Sequence, residues 1–90
     1  MENEKHILYV DDEEINLVLF QNMFRKKFNV TTSESGIQAL ELLNTISTPD
    51  IIISDMRMPT MNGLEFIAKA RDKNPDIDCY ILTGDEITDE

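Results

Sequence analysis

Residues 6–32 read HILYVDDEEINLVLFQNMFRKKFNVTT, an apolar run, an amphipathic stretch and a second apolar run in succession. His6 to Val10 reads as a buried strand. From Glu14 to about Lys27, Ile15, Leu19, Phe20, Met23 and Phe24 recur at helical spacing, which predicts a helix with an apolar face. Phe28 to Thr32, with aromatic and β-branched residues, is predicted as a second strand. Strand, helix and strand in this order form a β-α-β unit, and such units build a parallel sheet with helices on its faces.

The alternation continues along the chain. A second helix is expected from about Ser35 to Ile46, with Ile37, Leu40 and Leu43 on one face and Pro49 stopping the pattern. Asp50 to Ser54 is predicted as the third strand. A third helix should start at Asn62, an N-cap residue with Glu65 three positions on to close a capping box, and Phe66, Ile67 and Ala70 form its inner face. Asp78 to Thr83 is the fourth strand, and residues 84–90 read as a loop or the opening turn of a helix. The sum is an α/β fold with a doubly wound parallel sheet, one domain over residues 1–90.

Bulk properties agree with a single domain. Ninety residues supply one hydrophobic core, and 41% hydrophobic with 29% charged residues is an ordinary globular composition. Eight basic against eighteen acidic side chains give a net charge of −10, which repels nucleic acid phosphates and anionic membranes. Apolar runs such as Ile51 to Ile53 fall far short of the ~20 residues of a membrane span, and the acidic start, Met1 to Glu4, lacks a signal-peptide core. A cytoplasmic location is expected. Cys79 is the only cysteine, which excludes an internal disulfide and a multi-thiolate metal site; in its apolar run it reads as a small buried hydrophobe.

Ligands of open parallel sheets bind beyond the carboxyl ends of the strands, where the strand order reverses. Here the first strand ends at Asp11-Asp12, the third at Asp55 and the fourth at Thr83. Three carboxylates brought together at one edge need a cation, and oxygen ligands of this kind suit Mg²⁺. A carboxylate can also attack phosphorus and form an aspartyl phosphate, and Asp55 is the best-placed nucleophile. Each residue has a plainer reading on its own: Asp11 and Asp12 as a solvated strand end, Asp55 as a turn cap, Thr83 as a β-branched strand residue. Met56, Met58 and Met61 are expected to pack rather than bind metal, because thioethers suit soft ions. His6 is expected to carry no catalytic role.

Four segments in this order, Val10-Asp11-Asp12-Glu13-Glu14, Asp55-Met56-Arg57-Met58-Pro59, Asn62-Gly63 and Leu82-Thr83-Gly84, resemble the receiver domain of two-component response regulators, and the similarity runs from Lys5 to Gly84. The resemblance implies a flavodoxin-like sheet with strand order 2-1-3-4. It implies Mg²⁺ held by Asp11, Asp12, Asp55 and the backbone carbonyl of Arg57, with Asp55 as phosphoacceptor. Thr83 would be the switch hydroxyl, and Pro59 and Gly63 would shape the adjoining loop. A histidine kinase or phosphotransfer protein would be the donor, and the domain would at most assist its own phosphorylation and dephosphorylation.

Set against the family pattern, the fifth strand and the last two helices are lacking, together with the lysine that the fifth strand carries; the last basic residue is Lys73. The expectation is a receiver domain placed at the start of its protein and incomplete at its C-terminal end, with the fourth strand exposed as an edge. Such an edge favours a homodimer or a domain swap. A pseudo-receiver that only binds or dimerises is the alternative. An aspartyl-phosphate phosphohydrolase would need an acid where Arg57 stands, and a purely metal-binding protein leaves Thr83 unexplained.

Overall fold

The computed structural model describes residues 4–82. β1 (His6–Val10) pairs in parallel with β2 (Asn29–Ser33) on one side and with β3 (Ile51–Asp55) on the other, and β4 (Asp78–Leu82) adds beyond β3. The strand order is therefore β2-β1-β3-β4, as the family resemblance implies. Three helices connect the strands: α1 (Glu14–Phe24), α2 (Gly36–Leu42) and α3 (Gly63–Lys73). Among the described residues no helix is long and apolar enough to cross a membrane.

The interior position of β1 follows from its composition. Ile7, Leu8, Tyr9 and Val10 are all buried, so both faces of this strand are covered. Leu8 and Val10 point to one face, where they meet Ile52, Ala39, Phe66, Ala70, Met58 and Ile77 in a single cluster under α2 and α3. Tyr9 points to the other face and stacks on Phe20 of α1, with ring centroids 4.1 Å apart. The helices thus lie on both sides of the sheet.

Helix ends are fixed by local chemistry. The Asn62 side chain accepts from the Glu65 backbone N–H at 2.9 Å, and the Glu65 carboxylate accepts from the Asn62 N–H at 3.0 Å, so the expected capping box starts α3. Ser35 caps α2 by accepting from the Gln38 N–H at 3.0 Å. α1 has no side-chain cap, and it ends at Phe24 rather than Lys27. Beyond Phe24 only single turns remain, in which the N–H groups of Lys27 and Phe28 both donate to the Phe24 carbonyl. Likewise α2 stops at Leu42, and a turn carries the chain to Ile46.

The expected apolar faces of α1 and α2 need correction. Leu17 is the buried residue of α1, whereas Ile15, Leu19 and Met23 are exposed. Apolar side chains surround much of this helix, so periodicity alone does not fix which stripe meets the sheet. In α2 the small residues Gly36 and Ala39 are buried and let the helix approach the core closely; Leu40 and Leu43 pack against the core as expected, and of the expected face only Ile37 is exposed. Met58 lies in the core and Met61 packs against it, as expected for space-filling thioethers.

Candidate metal and phosphoacceptor site

In-register pairing builds the site. Val10 stands opposite Ser54 across the β1–β3 ladder, so the residues that follow them, Asp11 and Asp55, emerge side by side at the carboxyl edge. The strand order reverses between β1 and β3, which is where open α/β sheets form their ligand crevice. One carboxylate oxygen from each of Asp11, Asp12 and Asp55 lies within 4.8 Å of the others. Among the described residues this is the only group of three or more His, Cys, Asp or Glu side chains close enough to share an ion.

The three acids differ in environment. Asp11 is almost fully buried and is held on three sides. Its Oδ1 accepts from the Glu13 N–H at 3.0 Å, and its Oδ2 accepts from the Tyr9 hydroxyl at 2.7 Å and from Asn16 Nδ2 at 3.2 Å. Asp12 is exposed, and Asp55 is half-buried at the end of β3. Burial raises the Asp55 carboxyl above its ordinary value, the negative charges of Asp11 and Asp12 add to the rise, and the backbone N–H groups of Met56 and Arg57 offset part of it. Burial also raises Tyr9, and its hydrogen bond to Asp11 works in the same direction, so the phenol keeps its proton and remains a donor.

The loop after β3 is held close against the end of the strand. Gly63 opens α3 against the end of β3, and its N–H donates to the Met56 carbonyl at 2.9 Å. A Cβ at this position would sit 2.4 Å from the Asp55 backbone oxygen and 3.1 Å from Met56 Cα, so only glycine permits the approach. Between them, Thr60 has φ 70° and the Met61 N–H donates to the Pro59 carbonyl at 2.7 Å, a tight turn centred on a left-handed threonine.

An all-oxygen donor set fits a hard divalent cation and offers nothing to a soft one, so Mg²⁺ suits these residues on the chemistry of the ligands. Arg57 has an exposed side chain in the loop next to Asp55. Thr83 follows Leu82, the β4 partner of Asp55, and lies outside the described residues. His6 stands at the opposite end of β1, with its ring on the Thr31 hydroxyl at 2.8 Å, and contributes nothing to this cluster. Burial raises the Cys79 thiol, in keeping with a small side chain packed against the core. Sequence reasoning missed Tyr9 and Asn16 as partners of Asp11. Tyr9 was detectable in principle, because it stands two residues before Asp11 and so shares its face of the strand.

A family model described as the response regulator receiver domain matches residues 7–90. The chain belongs to this receiver family. It is 36% identical over 74 residues to the DNA-binding transcriptional regulator NtrC of Klebsiella pneumoniae, a match covering 82% of this chain and 16% of that protein. The crystal structure of an adenylate cyclase from Rhodopirellula baltica superposes with a TM-score of 0.86 at 39% identity, covering 89% of this chain and 59% of the other. The chemotaxis protein CheY4 of Vibrio cholerae gives a TM-score of 0.86 at 26% identity, covering 93% of this chain and 72% of the other. This receiver chain therefore spans only about a sixth of the length of NtrC.

Proposed function

We propose that this chain is the phosphoaccepting part of a two-component response regulator, with Asp55 as the acceptor. The observation that carries this reading is the convergence of Asp11, Asp12 and Asp55 within 4.8 Å at the switch point of a receiver sheet. A carboxylate oxygen of Asp55 attacks the phosphorus of a phosphohistidine on a histidine kinase or phosphotransfer protein. The nitrogen–phosphorus bond breaks, its electron pair returns to the imidazole, and an acyl phosphate remains on Asp55. Asp11, Asp12, Asp55 and the Arg57 backbone carbonyl would hold Mg²⁺, which when bound offsets the negative charge of the three acids and of the incoming phosphoryl group. The Thr83 hydroxyl donates to the phosphoryl oxygens and carries the change to an output partner. Residues 1–90 are taken as one receiver unit working in the cytoplasm, with no nucleic acid contact of its own.

The test is the intact mass of the chain after incubation with Mg²⁺ and acetyl phosphate, beside an Asp55→Asn control. One added phosphoryl group in the wild type and none in the control is the expected result. Addition to the control as well would move the acceptor elsewhere.

A second reading, a binding or dimerisation module, is favoured by an apolar face that is exposed among the described residues. Ile15, Leu19, Met23 and Leu82 are exposed, and a groove of about 410 Å³ runs between α1 and β4, floored by Tyr9 and Ile53. Homodimerisation through β4 and this groove would cover the apolar surface. Static light scattering at micromolar concentration should then give twice the chain mass, and a monomer mass would refute it.

A further inference from the structure

Asp11 is the most buried of the three acids, and the geometry of its carboxylate decides whether the cluster can close on a cation. Left unrestrained, a carboxylate facing two others within 4.8 Å would turn away from them. The shortest of the bonds that prevent this comes from Tyr9, at 2.7 Å on Oδ2. The aim of that hydroxyl is itself fixed. The Tyr9 ring is stacked on Phe20 with planes 14° apart, and the strand backbone beneath it is paired on both sides. Asn16 reaches the same oxygen at 3.2 Å from a polar side chain on α1 with a second partner in Glu13, a looser restraint.

We infer that Tyr9 is a positioning residue of the metal site: its hydroxyl, aimed by the stack on Phe20, holds the Asp11 carboxylate in the orientation that accepts a divalent cation. The inference rests on the reading of the acid cluster as a Mg²⁺ site. Groups that orient a ligand from behind typically change metal affinity about 10- to 100-fold when removed. Tyr9→Phe removes the hydroxyl and keeps the ring, so the stack and the core stay filled.

Mg²⁺ alone is titrated into the wild type, Tyr9→Phe and Tyr80→Phe by calorimetry, with a circular dichroism melt of each. Tyr80 is exposed on β4, and the chain has two tyrosines and no tryptophan, so Tyr80→Phe leaves Tyr9 as the sole emitter. A phenol bonded to a carboxylate emits weakly, and its emission changes when a cation draws charge from that carboxylate. The expected result is a Mg²⁺ affinity about tenfold or more weaker in Tyr9→Phe, an unchanged affinity in Tyr80→Phe, and a Tyr9 emission change that tracks the calorimetric curve. Affinity in a folded Tyr9→Phe within about twofold of wild type would overturn the inference and leave the metal site standing. Should Tyr9→Phe fail to fold, the Tyr80→Phe emission decides: no change at saturating Mg²⁺ overturns the role of Tyr9. A wild type that binds no Mg²⁺ overturns the metal reading and this inference together.

Discussion

Replacing Asp55 by Asn should stabilise the metal-free protein. The Asp55 carboxyl is raised by its partial burial and then by the negative charges of Asp11 and Asp12, so its ionised form is disfavoured in the folded state. Two unit charges 4.8 Å apart repel by about 0.9 kcal/mol in bulk water and about 3.5 kcal/mol at an effective permittivity of 20. Asp55 is half-buried and Asp12 exposed, so solvent screening selects the lower end, about 1 kcal/mol for each of the two neighbours. The backbone N–H groups of Met56 and Arg57 favour the carboxylate over an amide and remove part of this gain. A net rise of about 1 kcal/mol remains for Asp55→Asn at neutral pH, or about 4–8 °C in Tm for a domain of this size. The pH dependence has a definite sign. A carboxyl raised in the folded state binds more protons there than in the unfolded chain, so wild-type stability falls as pH rises through the folded-state value. The variant lacks that loss, and the gap between the two should close below the ordinary value of 3.8. Thermal melts in low salt with a chelator, from pH 3 to pH 8, measure both curves, and added Mg²⁺ should raise the wild type more than the variant. An Asp55→Asn protein no more stable than wild type at pH 7, or a gap that persists below pH 3.8, would refute the electrostatic reasoning.

Gly63→Ala should lower stability by about 3 kcal/mol in urea titration and weaken Mg²⁺ binding, because the new Cβ meets the Asp55 backbone oxygen at 2.4 Å and the loop must shift. Asn62→Ala removes the capping box of α3 and should cost about 1 kcal/mol by the same assay, with phosphorylation retained. Thr60→Gly relieves a left-handed threonine at φ 70° and should raise stability by about 0.5–1 kcal/mol, the strain released exceeding the added freedom of the unfolded chain. A stability loss in Thr60→Gly would show that the threonine side chain holds the turn.

The fold was legible where one physical rule acted alone. Period, strand composition and the Asn62–Glu65 pair placed every described element, and β1 was located to the residue. The acids were legible for a related reason: parallel strands in register must bring their carboxyl ends to one edge, so Asp11 and Asp55 could be joined without coordinates. Where two rules competed, the sequence was ambiguous. α1 carries Ile15, Leu17, Val18, Leu19 and Phe20 in near succession, and only the position of the sheet decides that Leu17 turns inward while Leu19 does not. The hydrogen bond from Tyr9 to Asp11 was hidden within an apolar run, because a tyrosine there satisfies the core pattern by its ring whatever its hydroxyl does. The need for glycine at 63 depends on a distance between two backbones that no local pattern encodes.

The same arrangement ties stability to binding. Asp11 and Asp55 cannot separate to relieve their repulsion, because Asp11 directly follows β1, Asp55 ends β3, both strands are paired on both sides, and Gly63 closes α3 onto the end of β3. Three bonds to Asp11 block the remaining escape by side-chain rotation. The repulsion is therefore present before any ligand arrives, at about 1 kcal/mol for each close pair. A cation entering among the acids removes it, and that release adds to the cation's affinity instead of being spent on drawing the ligands together. The substitutions that most stabilise the metal-free protein at this edge should accordingly be those that most weaken Mg²⁺ binding, and the wild type, Asp12→Asn and Asp55→Asn should fall on one line relating the two quantities. Asp11→Asn would depart from it, because the Tyr9 and Asn16 donors now aimed at a carboxylate would face a neutral amide.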